Sequence, residues 1–256
     1  MVLRPLEPAP PANRDYLPAW KVIEKIQRQH HEGCWMITQP SHAALAGEFA
    51  AKMYGTHAPK LDTALIRAIA LHDAGWGVPD AQAIMQSRSV GRGGPRSFID
   101  CAVSEFVEAW EKSIDIAESA GLAGGYIVSR HFCRIAESST AQIAADDRRR
   151  AARFLEHEAA RQKQLAAKQD RSVEELELLT DVLQFCDLLS LYVCSGSRDN
   201  AEFPEYFGLK VRLTVDEESY RLEPQVIEPG AEFAVAALRH PATKEVSGRE
   251  ITIKIW

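Results

Sequence analysis

The sequence predicts a mainly α-helical protein with a small β-rich segment near its C-terminal end. Between residues 41 and 195, apolar residues recur at the i, i+3, i+4, i+7 spacing of helices that bury one face. After residue 208, apolar and polar residues alternate with the period of two that is typical of half-buried strands. The chain has 256 residues, 46% hydrophobic and 26% charged, so it can bury a sizeable core without a disulfide or structural metal.

The N-terminal part of the chain gives the weakest signals. Residues 1–18 contain five prolines and little periodic hydrophobicity, which predicts an extended leader. Residues 20–29 fit a helix or a strand, and residues 35–38 form a short apolar run that suits an extended segment. Six helices are then predicted from apolar stripes, at residues 41–54, 61–73, 97–119, 123–136, 140–168 and 173–195.

Glycine-rich and strand-like segments indicate a long loop and the boundary between two parts of the chain. The glycine-rich stretch 75–97 interrupts the helices and predicts a segment that is mostly loop. We expect a helical domain at residues 19–204 and a β-rich appendage at residues 205–256 that packs against it. The expected strands are LKVRLTV, GREITIKIW and, between them, EFAVAALRH.

The net charge and the cysteine pattern indicate which kinds of binding partner and which cellular compartment are expected. A formal net charge of −6 argues against an extended nucleic-acid interface, although a small phosphorylated substrate needs only a few local cations. Five scattered cysteines without a CxxC pair predict reduced thiols. We see neither an apolar signal-peptide core nor a run of eighteen apolar residues, so we expect a cytoplasmic protein that does not span a membrane. Self-association into a homo-oligomer stays open.

The segment LHDAGW holds the first candidate functional residues. His72 falls on the apolar side of its predicted helix, where an imidazole needs a partner or a metal. Asp73 falls at the C-terminal end of the same helix, where the macrodipole disfavours a carboxylate. A bound cation would give the His72 imidazole a partner and would offset the unfavourable position of the Asp73 carboxylate.

Three further polar residues interrupt apolar helix stripes in the same way, namely His42, His131 and Asp187. Taken singly, each histidine is more simply a satisfied core or surface residue, and Asp187 could pair with a buried arginine or a backbone amide. Taken together, four helices would each direct imidazole or carboxylate groups inward, which is how metal sites in helix bundles are built.

The order His42, His72-Asp73, Asp187 resembles the ligand signature of the HD-domain superfamily. The segments WMITQPSHAALAGEFA, ALHDAGW, SRH and FCDLLSLYVC are similar to a branch of HD-like proteins of unknown function. The resemblance covers about residues 35–200. It implies a helical bundle with one or two divalent metals and hydrolysis of phosphomonoesters, nucleotides or phosphodiesters, with His131 as an additional ligand. His157 is a weaker candidate for a second additional histidine.

The predicted ligand set is His42, His72, Asp73, His131 and Asp187. Imidazoles mixed with carboxylates suit Mn, Fe, Zn, Co or Ni. Such an ion lowers the pKa of a bound water, and a nearby carboxylate can orient or deprotonate that water. We therefore expect Asp73 and His131 to be catalytic residues.

Four arginines are candidates for binding a phosphate, namely Arg88, Arg92, Arg96 and Arg130. The first three lie on the glycine-rich loop that follows the HD pair, and Arg130 neighbours His131. A solvated, flexible loop explains the first three equally well.

These residues support three functional hypotheses. The first is a metal-dependent phosphohydrolase that acts on a small phosphorylated molecule or nucleotide. The second keeps the metal and changes the reaction, as in di-iron oxygenases of the HD type. The third is a regulatory module that binds a metal or ligand without turnover.

Overall fold

A computed structural model describes residues 1–11, 15–55, 59–87, 94–139, 144–216, 219–242 and 248–256. Within these ranges the chain forms eight α-helices and eight β-strands. The helices are α1 (Ala19–Gln27), α2 (Gln39–Ala51), α3 (Thr63–Ala70), α4 (Gly77–Ser87), α5 (Val103–Ala120), α6 (Leu122–Ser139), α7 (Ala145–Ala166) and α8 (Val173–Ser195). The strands are β1 (Val2–Pro5), β2 (Leu17–Pro18), β3 (Cys34–Ile37), β4 (Ala201–Tyr206), β5 (Leu209–Asp216), β6 (Ser219–Glu223), β7 (Ala231–His240) and β8 (Gly248–Ile255). Single 3-10 turns occupy Ala74–Trp76 and Phe98–Asp100.

All eight described strands join one sheet, in the order β1-β3-β7-β8-β6-β5-β4-β2. Neighbouring strands are antiparallel except for the parallel pairs β2–β4 and β6–β8. One face of the sheet packs with the helices in a continuous apolar core. At the β1-β3-β7 end, α4 covers the opposite face, where Ala83 and Ile84 pack against Met36 and Leu238. Within the described residues, therefore, helices pack on both faces of the sheet.

The prediction of a mainly α HD-type bundle with a small β appendage is wrong. The structure is mixed α/β, and its sheet takes strands from both ends of the chain. The predicted leader holds β1, which pairs with β3, and β3 pairs in turn with β7. The sheet is therefore part of the main body of the fold. An all-helical bundle contains no such sheet.

Several predicted elements differ locally from the structure. The ambiguous residues 20–29 fall mainly in α1, and residues 35–38 overlap β3. The predicted loop 75–97 contains helix α4. The predicted helix 61–73 is shorter, because α3 ends at Ala70 and the following residues form a turn.

Capping side chains fix the ends of the helices that matter for the site. The Thr38 hydroxyl accepts from the backbone N–H of Ser41 at the start of α2, and the Asp62 carboxylate accepts from that of Leu65 in α3. Ser172 begins α8 with a capping box, and Gly196 ends it in the left-handed conformation at φ 70°. Helix α8 is long and apolar enough to cross a membrane by length and composition, but 83% of its most apolar window is buried in the protein.

Two glycines allow close backbone contacts beside the turn after α3. A Cβ atom added to Gly47 of α2 would lie 2.5 Å from the Ala70 Cβ and 2.8 Å from its Cα. A Cβ atom added to Gly75 would lie 2.1 Å from the Ala109 carbonyl oxygen in α5. Helices α2 and α5 therefore approach the two sides of this turn at distances that only glycine permits.

The close contact of α2 with α3 can be tested by replacing Gly47 with alanine. We expect Gly47→Ala to lower the free energy of unfolding by about 1–3 kcal/mol, because the added methyl group meets backbone atoms of Ala70. Chemical denaturation would measure the change. Gly77→Ala is the control, since a Cβ atom there meets nothing within 4 Å. Equal stability of Gly47→Ala and wild type would contradict the packing described.

Candidate metal centre

Five predicted ligands come together inside the helical layer. His42 lies near the start of α2, His72 and Asp73 lie in the turn after α3, His131 lies in α6 and Asp187 lies in α8. All five residues are buried. The side chains of His42 and His72 have no exposed surface, whereas those of Asp73 and Asp187 are 7% and 12% exposed. The small solvent-exposed surface of Asp73 and Asp187 therefore lies on the carboxylate side of the cluster.

The ring nitrogens face the two carboxylates at short distances. The Nε2 atom of His42 lies 2.9 Å from Oδ2 of Asp73, and that of His72 lies 3.2 Å from Oδ1 of Asp187. The Nε2 atom of His131 lies 3.7 Å from Oδ2 of Asp187. Two triads have donor atoms within 4.8 Å of one another, namely His42, His72 and Asp73, and His72, His131 and Asp187.

A serine on α8 determines the tautomer of His42. The Ser190 hydroxyl donates its hydrogen to the backbone carbonyl of Asp187 at 2.8 Å. Its oxygen lies 3.1 Å from Nδ1 of His42. While the hydroxyl keeps this bond to Asp187, it has no second hydrogen to give, and Nδ1 of His42 is the donor. In the neutral ring, Nε2 then carries a lone pair that points at Asp73.

A backbone carbonyl determines which nitrogen of a neutral His72 ring carries the hydrogen. The Nδ1 atom of His72 lies 2.7 Å from the carbonyl oxygen of Ile69, which can only accept a hydrogen bond. The hydrogen of a neutral His72 ring therefore resides on Nδ1, and the Nε2 lone pair points at Asp187. Metal-binding histidines use the same arrangement, in which the second ring nitrogen donates to a carbonyl or another acceptor.

The two contacts have a shared consequence. A neutral imidazole lone pair and a carboxylate oxygen repel one another at about 3 Å in a buried site, where little water screens them. A cation between the atoms removes the repulsion, and either a proton on Nε2 or a metal ion can supply it. The donor set of three imidazoles and two carboxylates fits a divalent transition metal.

Burial and charge interactions within the cluster shift its pKa values in opposite directions. Burial acts to lower the pKa of His72, but Asp187 and Asp73 outweigh burial and raise the pKa to about 9. Burial lowers the pKa of His131 to about 4. Burial acts to raise the pKa of Asp187, yet the three histidines, His72 foremost, lower it to about 2. His131 therefore stays neutral near pH 7, and a metal would have to displace a proton from His72.

Two buried atoms of the cluster have no hydrogen-bond partner within the described chain, Oδ1 of Asp73 and Nδ1 of His131. An orphan carboxylate oxygen fits a role as a metal or water ligand. The Nε2 lone pair of His72 belongs to both triads and can bind only one ion. The described cluster therefore favours one ion, shared by the two triads, over two separate ones.

Of the four predicted phosphate-binding arginines, the two that the structure describes do not join this cluster as free cations. Arg88 and Arg92 lie outside the described residues. The guanidinium of Arg96 donates two hydrogen bonds to the carboxylate of Glu105, at 3.0 and 2.6 Å. Arg130 pairs with Glu177 and Glu137. The two described arginines are therefore already bound by carboxylates.

Residues that the sequence did not single out also contribute to the site. Ser190 lies one turn after Asp187 on α8 and follows its apolar stripe, which is a usable sequence signal. Arg134 lies nearly one turn after His131 and helps to lower the pKa of that histidine. Its guanidinium is shared among oxygens of Glu177, Asp181 and Gln184, at 2.6–2.7 Å.

Comparison with known proteins gives one finding. The family described as "Protein of unknown function (DUF3891)" matches residues 25–235, which include all five clustered residues. Neither a curated protein nor a solved structure matches the chain. The HD-domain assignment made from the sequence is therefore replaced by this family.

The hydrogen bond between Ser190 and His42 can be tested through metal affinity. We expect Ser190→Ala to weaken metal binding by about 10–100-fold, because the His42 tautomer is no longer held. Titration of chelator-treated protein with Zn²⁺ or Mn²⁺ would measure the affinity. Ser195→Ala is the matched control, since Ser195 is buried on the same helix and makes the same local bond to a carbonyl, that of Tyr192. Equal losses in both variants would contradict a specific role for Ser190.

Proposed function

This chain belongs to the DUF3891 family, and from the geometry of its buried cluster we propose that it is a metal-dependent hydrolase. It would hold one divalent transition metal with His42, His72, Asp73 and Asp187, and with His131 as a further ligand. Its substrate would be a small phosphorylated molecule or a nucleotide, and its location the cytoplasm. The observation that carries the metal site is the buried convergence of three imidazoles and two carboxylates, in which Nε2 of His42 lies 2.9 Å from Asp73 and Nε2 of His72 lies 3.2 Å from Asp187.

Several properties of the cluster favour a metal over protons as the missing cation. Protonation of Nε2 in His42 and His72 would satisfy only one oxygen of each carboxylate and would leave Oδ1 of Asp73 without a donor. His131 stays neutral and offers another lone pair. A divalent ion would bind these groups together and would offset the position of Asp73 just beyond the C-terminal end of α3.

The protein's own groups suggest how hydrolysis would proceed. A bound metal would lower the pKa of its water toward neutrality. Asp73, whose Oδ1 has no donor, would accept the proton of that water and orient its oxygen toward the substrate. His131 would contribute a neutral imidazole to the metal or to the same water. The substrate would enter from the carboxylate side, where Asp73 and Asp187 retain their small exposed surface.

The phosphate part of the proposal depends mainly on the metal, since Arg96 and Arg130 are paired with carboxylates. Arg134, on the α6 turn that follows His131, helps to lower the pKa of that histidine and is likewise paired with carboxylates, those of Glu177 and Asp181. A phosphate bound to the metal would compete with Glu177 and Asp181 for its donors.

Metal content tests the site itself. We expect His72→Ala and Asp187→Asn to lose the metal that copurifies with the wild-type protein, because each change removes a central donor. Elemental analysis of the purified proteins would measure metal per chain, and circular dichroism would check that both variants fold. His157→Ala is the control, because the side chain of His157 is 62% exposed on α7. Full metal content in Asp187→Asn would show that the ligand assignment is wrong.

Turnover tests the proposed reaction. We expect the wild-type protein, loaded with Mn, Fe, Zn, Co or Ni, to hydrolyse members of a panel of phosphomonoesters and nucleotides. Asp73→Asn should lower kcat by a factor of at least about 100, as for loss of a general base. Asp115→Asn is the control, since Asp115 is an exposed carboxylate on α5.

Two outcomes of the turnover assay would replace the hydrolase. Stoichiometric metal binding without turnover of any substrate would favour the regulatory module predicted as an alternative. Iron-dependent consumption of oxygen without phosphoester hydrolysis would favour an oxygenase.

A further inference from the structure

Three arginines surround Trp35 at one end of the sheet. Arg4 in β1 and Arg239 in β7 are both register partners of Trp35 in β3, so the three residues lie side by side across three strands. Arg249 in β8 pairs with Ala237, two residues before Arg239. The guanidinium carbon of Arg249 lies 4.4 Å from the centroid of the Trp35 ring. We refer to Arg4, Arg239 and Arg249 as the arginine cluster.

The arginine cluster lies on the inner face of the sheet. Residues in register, and those two apart on one strand, share a face. Trp35 and Ala237 belong to the main core, whereas Met36 and Leu238 pack in the second cluster on the opposite face. The three arginines therefore extend from the side that packs against α8. Arg4 donates to the carbonyl oxygen of Val193 near the C-terminal end of that helix, at 2.8 Å.

Two arginines of this cluster, the half-buried Arg239 and the exposed Arg249, have no carboxylate partner within the described chain. The Nε atom of Arg239 is buried and has no hydrogen-bond acceptor. Among the described residues, neither Arg239 nor Arg249 forms a side-chain hydrogen bond or an ion pair. By contrast, Arg96, Arg161 and Arg212 each pair with a carboxylate. Like charges on adjacent strands repel, and a buried donor without an acceptor is costly.

We infer that the arginine cluster is an anion site for a phosphate group, separate from the metal centre. A guanidinium presents a planar fork of donors that suits phosphate oxygens. Three neighbouring cations match a multiply charged anion, such as pyrophosphate or the diphosphate of a nucleotide, better than a single carboxylate. The Trp35 ring is already covered by Arg249, so the site has no free indole face for stacking a base. Recognition would therefore be of the phosphates alone.

Calorimetric titration with pyrophosphate tests this site. The full chain is first treated with a chelator, so that metal-dependent binding does not contribute. We expect wild type to bind pyrophosphate, and Arg239→Gln and Arg249→Gln each to bind about tenfold more weakly or worse, as for the loss of charge-assisted hydrogen bonds. Arg221→Gln is the matched control, since it removes an exposed arginine from β6 of the same sheet. It should bind as wild type does.

A second measurement follows the Nε–H group of Arg239, the buried donor without an acceptor, by NMR. In ¹H–¹⁵N spectra, the Nε–H resonance of Arg239, assigned by its loss in Arg239→Gln, should shift when pyrophosphate is added and should exchange more slowly with water. ADP should produce the same shift, and acetate should not. A shift with ADP but none with pyrophosphate would overturn recognition through the phosphates alone.

Three further results would overturn the anion site. The first is absence of pyrophosphate binding, and the second is equal weakening in Arg221→Gln and Arg239→Gln, which would indicate a general charge effect. The third is binding that is lost in His72→Ala but kept in Arg239→Gln, because the anion would then occupy the metal centre. Binding that persists in His72→Ala supports the site whether or not the protein is a hydrolase.

Discussion

The interaction on which the site depends is the hydrogen bond that each of two histidines donates through Nδ1. His42 donates to the Ser190 hydroxyl and His72 to the Ile69 carbonyl, and both acceptors belong to helices. The hydroxyl is itself held by the carbonyl of Asp187. The fold therefore determines which nitrogen of each ring carries the hydrogen. Each ring then directs Nε2 at a carboxylate, and a proton or a metal ion between the two atoms stabilises the contact.

The rest of the molecule keeps these donors in place. His42 follows β3, a strand that lies between β1 and β7 in the sheet, so the sheet anchors one wall of the site. The turn that holds His72 and Asp73 is fixed between α2 and α5, where Gly47 and Gly75 allow close approach. After that turn the chain continues into α4, which packs on the outer face of the sheet. The strands outside the helical layer thus contribute to the geometry within it.

The sequence indicated which polar residues cluster in the core, whereas its prediction of the fold was wrong. The difference lies in the sequence separation over which each signal acts. A polar side chain on an apolar helix stripe is visible locally, and this pattern identified His42, His72, His131 and Asp187. Asp73 was identified as the neighbour of His72 at a predicted helix end. Strand pairing is not local, because β1 pairs with β3 across helix α1, and β3 pairs with β7 across most of the chain. The four residues of β3 are all buried and show no alternation. Such a strand carries no period-two signal. The five prolines of residues 1–18 favoured an extended leader, so β1 was not predicted.

Contacts between residues distant in the sequence also explain why the arginine predictions differ from the structure. This applies both to the arginines predicted near the histidines and to the arginine cluster at Trp35. Sequence position placed Arg96 and Arg130 near the histidines but could not show that Glu105 and Glu177 would neutralise them. It gave no sign that Arg239, distant in the sequence, would lie beside Trp35. A core of this size does not need unbalanced buried charges in order to fold. The buried carboxylates and the half-buried guanidinium of Arg239 are therefore the two places where a bound ion would add most to stability.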